Sequence, residues 1–466
     1  MSDKGSKTPA PQAGPKSYAR MARPGEIGVI NAGATNSSRS LGQYDFVYTP
    51  PSGTLDVATS DKKTSTEVTG AGSEGMFAQL LSRGPQDVYL TYNPEMTFFK
   101  RLYKRYTNFA VEQSEERCST TVRFGTKNTI TVSKRGHLVG SMILRIVLPN
   151  LNIAGGTWKQ TMGYNILDSI DLRIGDTTIQ TTGGLWLDID DKLFCPDSKY
   201  SGLDKLIRRG ETLATNQSHE LLIPLKFLCC KNTTFKQQYI PIVGLANNIH
   251  VYVDFTLKTL SSLVNMPPGG ILPDGASPQA GLIVEYIFLD KTERHTFARA
   301  DVTLMIEQVY SIDKKTYLTT TNGQTSNQSR IDISLRELNK PVKYFAIVAY
   351  PESDFTGFEY SNIFKEGTFY LNSNPQFSQR SSEYFTLIQP YQHGRRCQHL
   401  SNILMFSFSL DATSFQPNGA LNFASYTNSN FSFDIIPQEI PKKVKVFAVA
   451  LNWVTFEHGM CRLLFV

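Results

Sequence analysis

Charge is scarce in this chain. Asp, Glu, Lys and Arg make up 19% of its 466 residues, against about 25% in an average soluble domain. The charges nearly balance, 47 basic against 41 acidic for a net +6, and Lys and Arg are scattered without a long basic run. A dedicated nucleic-acid binder concentrates its basic residues on one face, so no specific nucleic-acid partner is expected. Cysteine is sparse and irregular. Cys118, Cys195, Cys229, Cys230, Cys397 and Cys461 form no CxxC pair and, with the histidines, no zinc spacing. A chain of this length does not need disulfide staples, so reduced thiols are expected. No apolar run reaches the roughly 18–20 residues of a membrane-spanning helix. No apolar stretch near the N-terminus has the form of a secretory signal, so secretion by that route is not expected.

Signatures of catalysis are equally thin. Gly70, Gly72 and Gly75 fit GxGxxG, but a dinucleotide site needs a strand before the glycines, a helix after them and a βαβ setting. Ser73 loosely mimics a nucleophile elbow, in surroundings that read as linker rather than parallel sheet. There is no P-loop, and His219-Glu220 lacks the second His of HExxH. His393, Cys397 and His399 are the densest candidate metal ligands. Their spacing departs from the His-x-His, Glu and later His of metal-binding cupins, and they read as turn and sheet residues. Sequons at Asn36, Asn216, Asn232, Asn327 and Asn430 require the secretory lumen and are expected to stay unmodified. The chain therefore reads as a non-enzyme, with no catalytic, cofactor-binding or metal-binding residue assigned and no cofactor or small-molecule substrate expected.

What is abundant is strand-forming material. Aromatic residues reach 11%, with 28 Phe and 21 Tyr, and high Phe, Tyr, Thr and Val favours strands over helices. Low charge also suits a protein that covers its surface with copies of itself. Residues 1–73 stand apart. They are rich in Gly, Pro, Ser, Thr and Lys, bury too little to offset the entropy of ordering, and are read as a flexible or extended arm. Residues 76–81 suggest a short helix or turn. Asn93-Pro94 then begins an expected amphipathic helix, with Met96, Phe99, Leu102, Tyr103 and Tyr106 on one face and Lys100, Arg101, Lys104 and Arg105 on the other.

From there the chain reads as strands, at 129–132, 138–148, 166–174, 177–180, 221–225, 249–257 and 282–289. Gly175-Asp176 marks a hairpin. A second strand-rich block follows near residue 300, at 302–310, 331–335, 342–349, 403–410, 431–435, 444–451 and 460–465. Long helical patterns are nearly absent. Polar, Gly/Pro/Asn-rich connections point to β-sandwiches. Because one sandwich of this length would be oversized, two are expected, joined near residues 290–300, without a sequence-level repeat.

One stretch is more specific. Gln86-Asp87-Val88-Tyr89-Leu90-Thr91-Tyr92-Asn93-Pro94-Glu95-Met96-Thr97-Phe98-Phe99-Lys100, running on into Tyr103-Lys104-Arg105-Tyr106-Thr107-Asn108-Phe109-Ala110, resembles the start of the first jelly roll in major capsid proteins of nucleocytoplasmic large DNA viruses. Further segments resemble that family in the same order: residues 136–149, 163–175, Gly184-Leu185-Trp186-Leu187-Asp188, and Ile223-Pro224-Leu225-Lys226-Phe227. They continue through Phe288-Leu289-Asp290-Lys291-Thr292-Glu293-Arg294, Ile306-Glu307-Gln308-Val309, Gln389-Pro390-Tyr391-Gln392-His393 and Phe415-Gln416-Pro417-Asn418-Gly419-Ala420-Leu421-Asn422-Phe423. The resemblance covers about residues 75–466. The chain departs from the family where Phe227-Leu228-Cys229-Cys230 lacks the usual Trp, where Ala424-Ser425 replaces Ser-Arg, and where Lys340 replaces a His before Pro341.

The resemblance implies an all-β fold of two consecutive eight-stranded jelly rolls, with short helices in loops and an extended N-terminal arm. The expected division is arm 1–73, first jelly roll 74–296 and second jelly roll 297–466. It further implies homotrimeric, pseudo-hexagonal capsomers tiling an icosahedral virion, assembled in the host cytoplasm. Neighbouring capsomers are expected partners. Minor capsid proteins, and the internal membrane through residues 1–73, are expected to meet the arm. Alternatives are a minor capsid paralogue of the same fold, a carbohydrate-binding jelly roll using Trp158, Trp186 or Trp453, and a metal-dependent cupin.

Overall fold

The computed structural model describes residues 73–465, apart from 102, 231–237, 274, 316–317, 322–323, 328, 352–357, 397–401, 438–439 and 441. The arm, as far as residue 72, therefore lies outside the described residues. The chain forms two compact units, one ending at Lys104 and one running from Arg105. In the first, α1 spans Ser73–Leu81, matching the expected short helix. The amphipathic helix expected from Asn93 is not formed among the described residues of that stretch, which run as bends and irregular backbone. Met96, Phe99, Tyr103 and Tyr106 all remain exposed. Short helices are marginal in water without an apolar surface to pack on.

The second unit holds two sandwiches. In the first, strands β1 Phe109–Arg117, β2 Lys127–Val132, β3 Leu138–Leu148, β4 Leu167–Ile174, β5 Thr177–Thr182, β6 His219–Pro224, β7 Val251–Leu257 and β8 Gln279–Leu289 follow in sequence. They form two antiparallel sheets, ordered β1-β8-β3-β6 and β2-β7-β4-β5. Alternation decides the faces: Met142, Leu144, Ile146 and Leu148 of β3 point inward. Gly175 turns β4 into β5 at φ +59°, a backbone conformation that favours glycine. Helices α2 Gly184–Phe194 and α3 Asp197–Leu206 cross between β5 and β6. Pro196 separates them, since it cannot extend a helix. Helix α4 Lys291–Arg299 leads onward from β8.

The second sandwich repeats this order strand for strand. It contains β9 Val302–Lys315, β10 Arg330–Ser334, β11 Pro341–Pro351, β12 Phe364–Leu371, β13 Asn374–Ser381, β14 Leu404–Ser407, β15 Ser429–Ile435 and β16 Lys442–Glu457. Its sheets run β9-β16-β11-β14 and β10-β15-β12-β13. Each strand n of the first sandwich thus corresponds to strand n + 8 of the second. A final strand, β17 Met460–Leu463, folds back on β16. Phenylalanines fill the second core, with Phe369 stacked on Phe431 at 4.6 Å between ring centroids and Phe345 edge-on to Phe431 at 5.2 Å.

Strands β11 and β16 are buried on both faces. Phe345, Ile347 and Ala349, with Val446, Ala448 and Ala450, enter the second core. The intervening Tyr344, Ala346, Val348, Phe447 and Val449 join the core that includes the first sandwich. The apolar runs at 344–349 and 446–451 have that cause, since a strand covered on both sides loses its polar alternation.

A charged clamp ties the β2-β7-β4-β5 sheet together. Asp254 of β7, its side chain 1% exposed, accepts from Thr129 of β2 at 2.7 Å and from Arg173 of β4 at 2.9 Å, and pairs with Lys127 at 3.2 Å. Burial alone would raise its carboxyl, but Arg173, Thr129 and Lys127 outweigh burial and hold it below its ordinary value. A folded value below the unfolded one stabilises the fold above the unfolded carboxylate range near pH ~3.9. That contribution is lost as pH falls through the depressed value. Asp254→Asn is expected to lower stability by about 1.5–3 kcal/mol at neutral pH. Urea unfolding at neutral and acid pH should show the gap from wild type narrowing as acid neutralises the native carboxylate.

Candidate functional site

The joint between the two sandwiches gathers most of the buried charge of the described residues, with Asp188, Asp190, Asp191 and Lys343 there and Asp254 elsewhere. Its apolar part comes from α2. Trp186 lies 5.2 Å from Phe447 and 6.4 Å from Tyr344, and Phe194 meets Tyr344 edge-on at 5.3 Å. The helix starts against backbone: a methyl group on Gly184 would collide with the Tyr164 carbonyl oxygen and sit 3.0 Å from that of Leu167. Gly184→Ala is expected to displace α2 and lower stability by about 1–3 kcal/mol through overpacking. Gly202 on α3 has open space beside it, so Gly202→Ala should leave the urea midpoint unchanged or raised.

Helix α2 also carries three carboxylates into this buried setting. Asp188, fully buried, accepts from the Tyr360 hydroxyl of the second sandwich at 2.7 Å and pairs with Lys192 at 2.8 Å and Arg209 at 2.8 Å. Asp190 pairs with Lys226 at 2.6 Å, and Asp191 holds both Lys226 and the Tyr164 hydroxyl. Three cations thus face three carboxylates. Burial works against the Lys226 ammonium, but Asp190 and Asp191 outweigh it and hold the group above its ordinary value. Burial first, and Asp188 second, pushes the Tyr360 hydroxyl well up, so it stays a donor. Asp188 and Asp191 are 0% and 1% exposed, so the cluster acts as a closed clamp rather than a site open to substrate.

Hydrogen bonds pin the two sandwiches reciprocally. Gln180 of β5 donates to the Glu307 carbonyl of β9 at 2.6 Å, while Gln308 of β9 donates to the Ile179 carbonyl at 2.7 Å. Lys192 donates to the Phe358 carbonyl at 2.7 Å. Arg396 lies over the Tyr200 ring at 3.6 Å and pairs with Asp197 at 2.7 Å. Beside them Lys343 pairs with Glu307 at 2.8 Å. A small cleft of mixed lining, including Gln180, Trp186, Lys226, Glu307, Val309 and Val449, lies at this seam.

The residues weighed from sequence scatter. Ser73 begins α1, and the glycines at 70 and 72 lie outside the described residues, as do Cys397, His399, Asn36 and Asn232. His393 closes a short helix and shares a hydrogen bond with the Leu410 carbonyl at 3.0 Å. Among the described residues no group of three or more His, Cys, Asp and Glu is placed to hold a metal ion, and no helix is long and apolar enough to cross a membrane. Trp158 and Trp186 are buried, which removes them from any sugar-binding surface, and Trp453 packs on Phe465. Sequence reasoning missed the clamp. Its one local signal is the charged run Asp188-Ile189-Asp190-Asp191-Lys192 between the apolar ends of a helix.

Comparison with known proteins agrees with this architecture. Residues 97–290 match the family model "Major capsid protein N-terminus", and residues 293–461 match "Large eukaryotic DNA virus major capsid protein". The chain is 29% identical over 415 residues to the major capsid protein of Pyramimonas orientalis virus, covering 83% of this chain and 98% of that one. It is 28% identical over 395 residues to the major capsid protein of Paramecium bursaria Chlorella virus 1, covering 77% and 86%. The crystal structure of PBCV-1 VP54 superposes with a TM-score of 0.69 at 22% identity, covering 79% of this chain and 100% of that one. The fold is accordingly the double jelly roll.

Proposed function

The chain belongs to the major capsid protein family of large eukaryotic DNA viruses, a family of structural proteins rather than enzymes, and we propose that its copies join as homotrimers tiling an icosahedral shell. The observation that carries this is the strand-for-strand correspondence of the two sandwiches across one buried joint. Two like barrels held at a fixed angle give each chain two similar lobes. Three chains then supply six lobes, a pseudo-hexagonal outline that fills a flat facet. Closure of the ring needs complementary surfaces on neighbouring copies. Low charge favours dense packing, because strongly charged subunits repel one another. Electron microscopy of the purified full chain is expected to show three-fold particles with six lobes; five-fold rings or lone two-lobed chains would overturn the reading.

The working division is arm 1–73, first jelly roll 74–296 and second jelly roll 297–466. The arm is assigned to the inner side of the shell, where it orders on neighbouring capsomers, minor capsid proteins or the internal membrane. Its composition supports this, since it lacks the apolar residues to fold alone. Assembly is placed in the host cytoplasm, consistent with cysteines expected to stay reduced there. Deleting residues 2–70 should leave trimers intact and impair shell formation. Full shells at normal yield would sink the assignment of the arm.

A further inference from the structure

The vicinal thiols Cys229 and Cys230 lie at the end of the segment that follows β6, beside the joint. Their sulfurs are 3.6 Å apart. Cys229 is fully buried and Cys230 partly exposed. The preceding residue is wired to the second sandwich: the Leu228 backbone N–H donates to the Gln180 side-chain oxygen at 2.7 Å, and the Gln180 amide donates to the Glu307 carbonyl at 2.6 Å.

We propose that Cys229 and Cys230 form a redox-responsive dithiol that closes to a vicinal disulfide when the particle meets a disulfide oxidant outside the reducing cytosol. Cell interiors keep thiols reduced, whereas particle and cell surfaces are oxidising. The outer sulfur reacts first. The Cys230 thiolate attacks the oxidant's S–S bond, forming a mixed disulfide and releasing one thiol. Cys229 then gives up its proton and attacks the Cys230 sulfur, forming the Cys229–Cys230 bond and expelling the second thiol. Two protein thiols are oxidised and one oxidant disulfide is reduced to two thiols. Neighbouring Cα atoms sit about 3.8 Å apart, closer than the roughly 4.4–6.8 Å of ordinary bridges. The closed ring is therefore strained and readily reduced, as a reversible switch requires. Closure draws on the backbone at Leu228 and loosens its bond to Gln180, one of the pins of the joint.

The chain supplies its own assay. Lys226 and Lys231 flank Phe227-Leu228-Cys229-Cys230, so trypsin releases a peptide whose only cysteines are these two. Folded full-length chain is treated with oxidised glutathione, denatured, alkylated with iodoacetamide and digested. The expected peptide carries no alkyl group and is lighter by two hydrogens than the reduced one. A peptide bearing two alkyl groups, or one alkyl group and a retained glutathione, overturns the proposal. Cys230→Ser should leave Cys229 alkylatable after the same treatment; should that variant not fold, the wild-type peptide still decides. Hydrogen exchange at Leu228 is expected to speed up in the oxidised protein, and unchanged exchange overturns the link to the joint. None of these outcomes depends on the trimer reading.

Discussion

Lys226→Met is expected to destabilise the chain by about 3–5 kcal/mol, the usual loss when one partner of a buried ion pair is removed. Methionine keeps most of the apolar stem but deletes the charge between Asp190 and Asp191, which approach Lys226 from the same helix. Asp191 keeps the Tyr164 hydroxyl, and Asp190 loses the ammonium 2.6 Å away, so two carboxylates in a poorly solvated joint face each other without a cation. Urea unfolding measures the effect directly. Adding Asp191→Asn to Lys226→Met should recover part of the loss, because it removes one of the stranded charges. A double variant no more stable than the single one would show that the clamp does not act through charge.

Trp186→Ala is expected to cost about 3–5 kcal/mol, the range for deleting a buried large aromatic, but its more telling effect is on coupling. The ring fills space against Phe447 and Tyr344 of the other sandwich. Its loss opens a gap in the joint, whereas Trp158 sits on a short strand paired with Val264 within the first jelly roll. In a thermal scan the wild type should unfold in one cooperative transition and Trp186→Ala in two, one for each sandwich. A single transition in Trp186→Ala would contradict the claim that this joint couples the unfolding of the two jelly rolls.

How much of this is legible in the sequence depends on the range of the interaction. Strand β3 and the β4–β5 hairpin could be read locally, because Met142, Leu144 and Ile146 alternate and Gly175-Asp176 marks the turn. Within the same strand the register shifts between Leu167 and Ser169, and Asp168 is exposed while Ile170, Leu172 and Ile174 are buried. Strand β1 was missed because an edge strand with Glu112, Glu115 and Glu116 shows little apolar signal. Helical spacing at 96–106 misled, since spacing says nothing about whether a packing surface exists. The runs in β11 and β16 announce strands, but their division between two cores appears only once both neighbours are in place. The clamp is the least legible part. Tyr360 lies 172 residues from Asp188 and Lys226 lies 35 from Asp191, so no window along the chain contains it. The family resemblance reached further than any of these patterns because an ordered series of motifs carries long-range information that periodicity lacks.

The most direct test of the central claim is the native mass of the purified full-length chain under non-denaturing conditions. Three chain masses, in a particle that survives dilution, is the predicted result. A monomer at high concentration, or five chain masses, would contradict the reading of this double jelly roll as the repeating trimeric unit of a shell.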